Sequence, residues 1–260
     1  MYRLLFIADP ATGKDAANWQ AEGYGPVDVN ADLDAALRLH REKAYHAIAA
    51  DTEACLAELR KRLDDQADGT PSFLMPADPE ERLTVLQDVR HLLNRLYADN
   101  TDEQFPLNEL SHRIQEDMIH NLLYGTHSHP QRIRRWFAML RSDVPIDTAC
   151  RLYTLILPQG DLYLADHWHH GQRRLERALE QTFFGQIPGM YCSVVFRSPV
   201  EMRLVLVPDR PLAGEALAAA VDSAVSRTVE DIKSYLDLDV DVQQAQSYAC
   251  LTDCVTEPNV

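Results

Sequence analysis

The sequence predicts an α/β protein in two parts: a parallel-sheet domain over residues 1–98 and an α+β domain over residues 146–255, joined by a helical linker over residues 99–145. Three observations predict this. Short apolar runs alternate with amphipathic stretches through the first part, the pattern of strands feeding crossover helices. The stretch Ala98–Pro106 (ADNTDEQFP) is polar, acidic and Pro-terminated, which marks a boundary. The last third changes pattern, placing two strands in direct succession between helical stretches. With 260 residues and a hydrophobic fraction of 46%, the chain can fill two ordinary cores.

Taken in order, Tyr2–Ile7 reads as a buried strand, apolar on both faces. Thr12–Ala21 reads as a helix and Pro26–Val29 as a second strand. Ala31–Lys43 is helical, with Leu33, Ala36, Leu37 and His40 on one face and Asn30 placed to cap it. Tyr45–Ala50 is a third strand ending at Asp51. Thr52–Asp65 is a helix with Leu56, Leu59 and Leu63 in register, and Asp68-Gly69 is a turn. Ser72–Met75 is a short strand closed by Pro76-Ala77-Asp78-Pro79. Glu80–Tyr97 is a helix with Leu83, Leu86, Val89, Leu93 and Leu96 along one stripe.

Beyond the boundary, Leu107–Tyr124 is an amphipathic helix whose seam (Leu107, Leu110, Ile114, Met118, Ile119, Leu122) could pack on its own domain or zip against a second copy. Pro130–Leu140 is a short helix anchored by Trp136 and Phe137. Then follow strand Arg151–Leu157, helix Asp166–Phe184, strands Tyr191–Phe196 and Met202–Val207 around a turn at Arg197–Glu201, helix Ala213–Leu236 and strand region Val240–Cys250. In the helix, Leu217, Val221, Val225, Val229 and Ile232 form the inner side. The order β-α-β-β-α-β is that of a ferredoxin-like or cyclase-like unit.

Net charge is −15, so the summed field repels nucleic-acid phosphates and no direct nucleic-acid binding is expected. The run Gln131-Arg132-Ile133-Arg134-Arg135 is either a local basic patch or a solvated helix face. The opening Met1–Ile7 run is too short for a signal-peptide core, and no stretch reaches the ~20 apolar residues that span a bilayer. The expectation is a cytoplasmic protein without membrane contact. Five cysteines (Cys55, Cys150, Cys192, Cys250, Cys254) lack C-x-x-C spacing and read as free thiols.

Residues 1–98 resemble a receiver domain of the response-regulator family. Leu4-Leu5-Phe6-Ile7-Ala8-Asp9-Pro10 resembles that family's first strand and paired acids, with Ala8 replacing one acid and Asp9 retaining the other. Tyr45–Asp51 resembles the strand ending at the phosphoacceptor, which places Asp51 there. Phe73–Glu81 resembles the last strand and its Lys-Pro turn, with Met75 where the lysine belongs. The resemblance implies a flavodoxin-like sheet, here shortened: the stretch 52–71 holds one helix, leaving no room for an extra strand-helix unit. Acyl-phosphate chemistry needs Mg²⁺ held by acids and a fixed cation against the phosphoryl group. One acid and a methionine supply neither in full. Asp51 is therefore either a phosphoacceptor or a relic that caps a loop, and Mg²⁺ is expected only with phosphorylation.

Residues 149–250 resemble the degenerate GGDEF-type, cyclase-like central domain of some AraC-type two-component regulators. The match rests on element order and on Arg197–Pro208, where Pro199, Val200, Glu201, Met202 and Arg203 stand at the Gly-Gly-Asp-Glu-Phe positions. Pro199 and Val200 block the backbone approach that glycines permit, and only Glu201 remains for metal. That family carries C-terminal helix-turn-helix motifs, which these residues do not include: either the chain is truncated or the output domain was lost.

The expected function is non-enzymatic: the input and dimerisation part of a response-regulator-type transcriptional regulator. Its expected partners are a second copy and a histidine kinase or other protein. The alternatives are a phosphorylatable receiver using Asp51 and a sensory module binding a nucleotide or small metabolite. Asp166, His169 and His170, with His127 and His129, form a weak metal pattern or a polar helix start. Ala8 with Gly13-Lys14-Asp15 lacks the first glycine and the hydroxyl residue of a P-loop.

Overall fold

A computed structural model describes residues 1–9, 19, 23–98, 106–124, 129–212 and 214–254. The expected helix Thr12–Ala21, apart from residue 19, lies outside them, as do Gly13, Lys14, Asp15 and His127. The chain divides into two compact units: Met1–Glu116 with Gln131–Ser142, and Asp117–Pro130 with Asp143–Val260. The stretch 99–145 is thus shared between the two. Among the described residues no helix is long and apolar enough to cross a membrane.

In the first unit, β1 (Tyr2–Ile7), β2 (Tyr24–Asn30), β3 (Ala47–Ala50) and β4 (Ser72–Leu74) form a parallel sheet in the order β2-β1-β3-β4. Leu4 pairs with Ala47, Ile7 with Ala50, and Ala50 with Leu74. Strand β3 reads Ala-Ile-Ala-Ala and is buried throughout, and its small side chains let elements on both faces approach closely.

Helix α1 (Leu33–Lys43) starts on Asp32, whose Oδ1 accepts from Ala35 N–H at 2.7 Å. The expected cap, Asn30, instead ends β2, and its Oδ1 accepts from Asp32 N–H at 3.0 Å. Helix α2 (Glu53–Asp65) is capped by Thr52 and buries Leu56, Leu59 and Leu63. Helix α3 (Pro79–Ala98) is started by Asp78, which accepts from Glu80 and Glu81 N–H. Its stripe is buried from Leu86 to Leu96, but Leu83 is exposed, one turn short of the core.

Helix α5 (Pro130–Met139) packs on α3. Trp136 donates its indole N–H to Asp88 O at 2.9 Å, and the buried Asp88 carboxylate is paired with Arg132 at 2.8 Å and Arg135 at 2.5 Å. Two charges of the basic run are therefore spent inside the fold. Helix α5 ends with Ser142 N–H donating to Phe137 O and Arg141 N–H to Ala138 O, with Arg141 at φ 52°. This is a Schellman motif whose left-handed position carries arginine rather than glycine.

Arg141 uses that position to cap the free edge of the first sheet. It donates to Thr70 O at 2.7 Å, to Asp68 O and to Asp64 Oδ1 at 2.8 Å. Arg60 donates to Ser72 O at 3.3 Å and to Ala138 O at 2.8 Å. In the other direction Pro71 O accepts from Ile48 N–H on β3. The outward carbonyls around β4 are thus held by guanidinium groups where a further strand would otherwise pair.

Helix α4 (Leu107–Tyr124) contains the boundary between the two units. Its seam residues Leu110, Ile114, Met118, Ile119 and Leu122 are buried, and Leu107 is half-buried.

In the second unit, β5 (Cys150–Ile156), β6 (Met190–Ser198), β7 (Glu201–Pro208) and β8 (Asp241–Tyr248) form an antiparallel sheet in the order β6-β7-β5-β8. The β6–β7 turn is the dipeptide Pro199-Val200, tighter than the expected turn at Arg197–Glu201. The expected helix Asp166–Phe184 is broken. A short α6 (Gly160–Leu162) runs into a π-helical turn, Tyr163–His167. The chain then stops at Trp168 and restarts after Gly171 (φ 80°) as α7 (Gln172–Ala178). A second π-helical turn, Leu179–Phe183, and a 3₁₀ turn, Phe184–Gln186, follow. Helix α8 (Gly214–Leu236) buries Leu217, Val221, Val225, Thr228 and Ile232. Arg151 forks both oxygens of Asp222 at 2.7 and 2.8 Å, and Tyr153 Oη donates to the same carboxylate at 2.6 Å, fixing α8 to β5.

Candidate functional site

The carboxyl end of the first sheet gathers the residues singled out by sequence. The strand order turns outward on both sides of β1 and β3, the place where parallel α/β sheets open a crevice. Asp51 N–H donates to Ile7 O at 3.1 Å, and Met75 N–H to Ala50 O at 2.8 Å, so Ala8, Asp51 and Met75 follow directly from three adjacent strands. Asp9 is exposed and Asp51 half-buried. Met75 is only 5% exposed, its thioether packed into the core. Arg82, the basic residue nearest Met75 in sequence, donates to Pro76 O and Ala77 O and holds the turn. Cys55 sits close enough that burial, and then the Asp51 charge, push its thiol up. Among the described residues no group of three His, Cys, Asp or Glu is placed to hold a metal. The chemistry on view is two carboxylates beside a neutral side chain.

The five residues Pro199, Val200, Glu201, Met202 and Arg203 are built into the second unit. Pro199 O lies so close to Gly160 that a Cβ there would meet it at 2.0 Å, and Val200 O accepts from Leu157 N–H at 2.9 Å. The turn's backbone is therefore covered by its own chain. Glu201 is paired with Arg197 at 3.2 Å, and Met202 is wholly buried. Arg203 is 6% exposed, donates to Leu123 O at 3.1 Å, and has its pKa lowered by burial and then by Arg197. None of the five presents a free group to a nucleotide phosphate.

The Asp166–His170 segment spans the end of a π-helical turn and the break after it. His167 stacks on Tyr163 at 5.9 Å and His170 meets Trp168 edge-on at 5.6 Å, so these two imidazoles engage neighbouring rings, while His169 is exposed. All five cysteines are free thiols. Cys150 and Cys254 lie with their sulfurs 3.2 Å apart in the core, and the Cys150 hydrogen bond and burial raise the Cys254 thiol.

Two cavities lie away from these positions. The first, about 410 Å³, opens at the amino end of the first sheet and is lined by Arg3, His40, Tyr45, His46, Asp68 and Tyr97. His40 Nδ1 accepts from Tyr45 N–H at 3.1 Å, which leaves the proton of the neutral ring on Nε2, facing Asp68 Oδ2 at 3.0 Å. Burial raises Asp68, but hydrogen bonds from His40 and Thr70 outweigh it and hold the carboxyl well below its ordinary value. Tyr97 is pushed up to about 12 by burial and then by Asp68. His46 is lowered by burial and then by Arg3. Both nitrogens of His40 are committed, Nδ1 to the Tyr45 backbone and Nε2 to the 68–70 turn, so this is a structural network. Sequence placed His40 on a core-facing helix side and Asp68 in a turn without joining them. The Asp-Gly-Thr triplet after α2 was the available signal.

The second cavity, about 690 Å³, lies in the second unit between the segment 178–188 and α8. Ala178 and Ala224 face it as small residues, Phe183, Ile187 and Leu236 supply apolar walls, and the α8 residues Arg227, Thr228 and Asp231 supply polar groups. Nothing in the sequence marked it.

No protein-family model matches the chain, and no curated protein matches its sequence.

Proposed function

We propose that this chain is a non-enzymatic, phosphorylation-independent regulatory protein. In this reading it is the input and dimerisation part of a response-regulator-type transcriptional regulator, working in the cytoplasm. The first unit is a flavodoxin-like pseudo-receiver, and the second a ferredoxin-like domain of degenerate cyclase type. The observation that carries the reading is Asp51 at the end of β3, beside β1, with the buried Met75 at the end of β4. The order β2-β1-β3-β4 agrees with a doubly wound sheet lacking its last strand, and the arginine-capped edge agrees with that loss. The order β6-β7-β5-β8 supports the ferredoxin-like assignment of the second unit.

An acyl phosphate on Asp51 would add negative charge with no fixed cation supplied from position 75, so its formation is disfavoured electrostatically. The output then depends on contacts with protein partners, a histidine kinase or another regulator, and on self-association. The test is incubation of the full chain with acetyl phosphate and Mg²⁺, followed by intact mass. The expected result is no adduct. A gain of about 80 Da that disappears in Asp51→Asn would overturn the reading.

A further inference from the structure

We infer that the groove between the segment 178–188 and α8 is a binding site for a small zwitterion with an apolar body: a hydrophobic α-amino acid or a short apolar peptide. The inference stands on the second unit alone and does not depend on how residue 51 behaves.

The groove has a built form. Helix α7 does not continue as an α-helix into it. The π-helical turn Leu179–Phe183 and the 3₁₀ turn Phe184–Gln186 re-aim the chain, and single π turns of this kind concentrate at functional sites. Gly185 allows the reversal, since a Cβ there would meet Glu180 O at 2.4 Å. Across from it, Ala224, Thr228, Asp231 and Tyr235 recur at helical spacing along one side of α8. Alanines at 178 and 224 leave space where larger helix formers would close it. At about 690 Å³ the groove falls within the few hundred to ~1,000 Å³ range of small-ligand sites, and its walls are mainly apolar.

Its charged groups make no ion pair among the described residues. Thr228 is 9% exposed, and its hydroxyl makes no hydrogen bond among the described residues. Its oxygen is not among the buried unpartnered side-chain atoms, so it opens toward the groove, where a ligand oxygen or N–H could hydrogen-bond to it. Arg227 donates from Nε to Ser223 O at 3.3 Å and makes no ion pair among the described residues. Asp231, four residues on, makes none either, although the spacing allows the two to pair. A cation and an anion flank one unpartnered hydroxyl at the rim of an apolar groove. An α-carboxylate answers Arg227, an α-ammonium answers Asp231, and an apolar side chain answers Phe183, Ile187 and Leu236. A simple fatty acid or amine would leave one of the two charges unanswered. The exposed ring of Tyr235 (78%) stands at the mouth, where it would be covered on binding.

The experiment is calorimetric titration and thermal unfolding of the full chain with L-phenylalanine and with the dipeptide Phe-Leu at up to about 10 mM, where a ligand of the folded state raises the melting temperature. Arg227→Gln and Asp231→Asn change exposed side chains and should fold normally. Each is expected to weaken L-phenylalanine about ten-fold. Phenylpropionate, which lacks the ammonium, should bind weakly and equally to wild type and Asp231→Asn. Phenethylamine, which lacks the carboxylate, should be equally indifferent to Arg227→Gln. Tighter binding of Phe-Leu than of L-phenylalanine would assign the site to peptides, and the reverse to free amino acids. Either result supports the inference. Absence of heat and of a melting shift with both probes would overturn it, as would affinities unchanged in both variants. So would a dimer in solution that Ala224→Leu converts to monomer, because the groove would then be occupied by a second copy.

Discussion

Replacement of Arg141 sets two opposed terms against each other. The residue holds the left-handed position of the α5 C-terminal motif at φ 52°, where glycine is the usual occupant. Backbone preference alone makes Arg141→Gly stabilising by about 1 kcal/mol. The side chain argues the other way. Its ion pair with Asp64, which is 61% exposed, is worth about 0–1 kcal/mol after screening. Its hydrogen bonds to Thr70 O and Asp68 O are charge-assisted and come from a side chain only 12% exposed. Those two carbonyls can regain water once the guanidinium is gone, so their joint contribution is discounted to about 2–3 kcal/mol. The net expectation is that Arg141→Gly destabilises the first unit by about 1–3 kcal/mol, and Arg141→Ala, which keeps the strain and loses the contacts, by about 1 kcal/mol more. Urea unfolding followed by tryptophan fluorescence reads this through Trp136, which packs on Asp88 in the same unit. A glycine variant as stable as the parent, or more so, would refute the reasoning.

Three further outcomes follow from the same geometry. Asp68 is a carboxyl held below its ordinary value. Its contribution to stability is therefore complete above about pH 4 and is lost as the pH falls toward the folded-state value, because the unfolded chain takes up the proton first. Acid unfolding of Asp68→Asn should accordingly show a shallower slope below about pH 4 than the parent, and an identical slope would sink this account. Gly160→Ala drives a methyl group into Pro199 O, a backbone atom, and should destabilise the second unit by about 1–3 kcal/mol in urea unfolding read through Trp168, the tryptophan of that unit. Asp88→Ala should cost about 3 kcal/mol, near the low end for a broken buried pair, because Arg132 and Arg135 are 39% and 30% exposed and can turn to water. A change below about 0.5 kcal/mol would show the triad to be ornamental.

Much of the architecture was legible because it follows from periodicity. Leu4–Ile7 of the first strand and Ala47–Ala50 are runs without polar residues, and Leu56, Leu59 and Leu63 recur at helical spacing, so both the elements and the convergence of Ala8, Asp51 and Met75 could be read from order alone. What could not be read depends on single backbone conformations and on long-range partners. The continuous helix expected over 166–184 fails at Gly171, whose φ of 80° no periodicity encodes, and the π turns lie in stretches of ordinary helix formers. Arg132 and Arg135 looked like a solvated face because their partner, Asp88, lies 44 and 47 positions away in sequence. The groove on α8 was hidden for a related reason: Ala178 and Ala224 look like helix propensity until the facing segment is in place.

The guanidinium cover over the β4 margin also limits how the first unit can be recognised. Peptides commonly join an open sheet by lending it a strand, and here the acceptor positions on that side are already taken by Arg60 and Arg141. A strand offered in trans would find the Thr70 and Ser72 carbonyls occupied. Recognition on that flank must instead read side chains, which makes it a question of shape and charge rather than of backbone complementation.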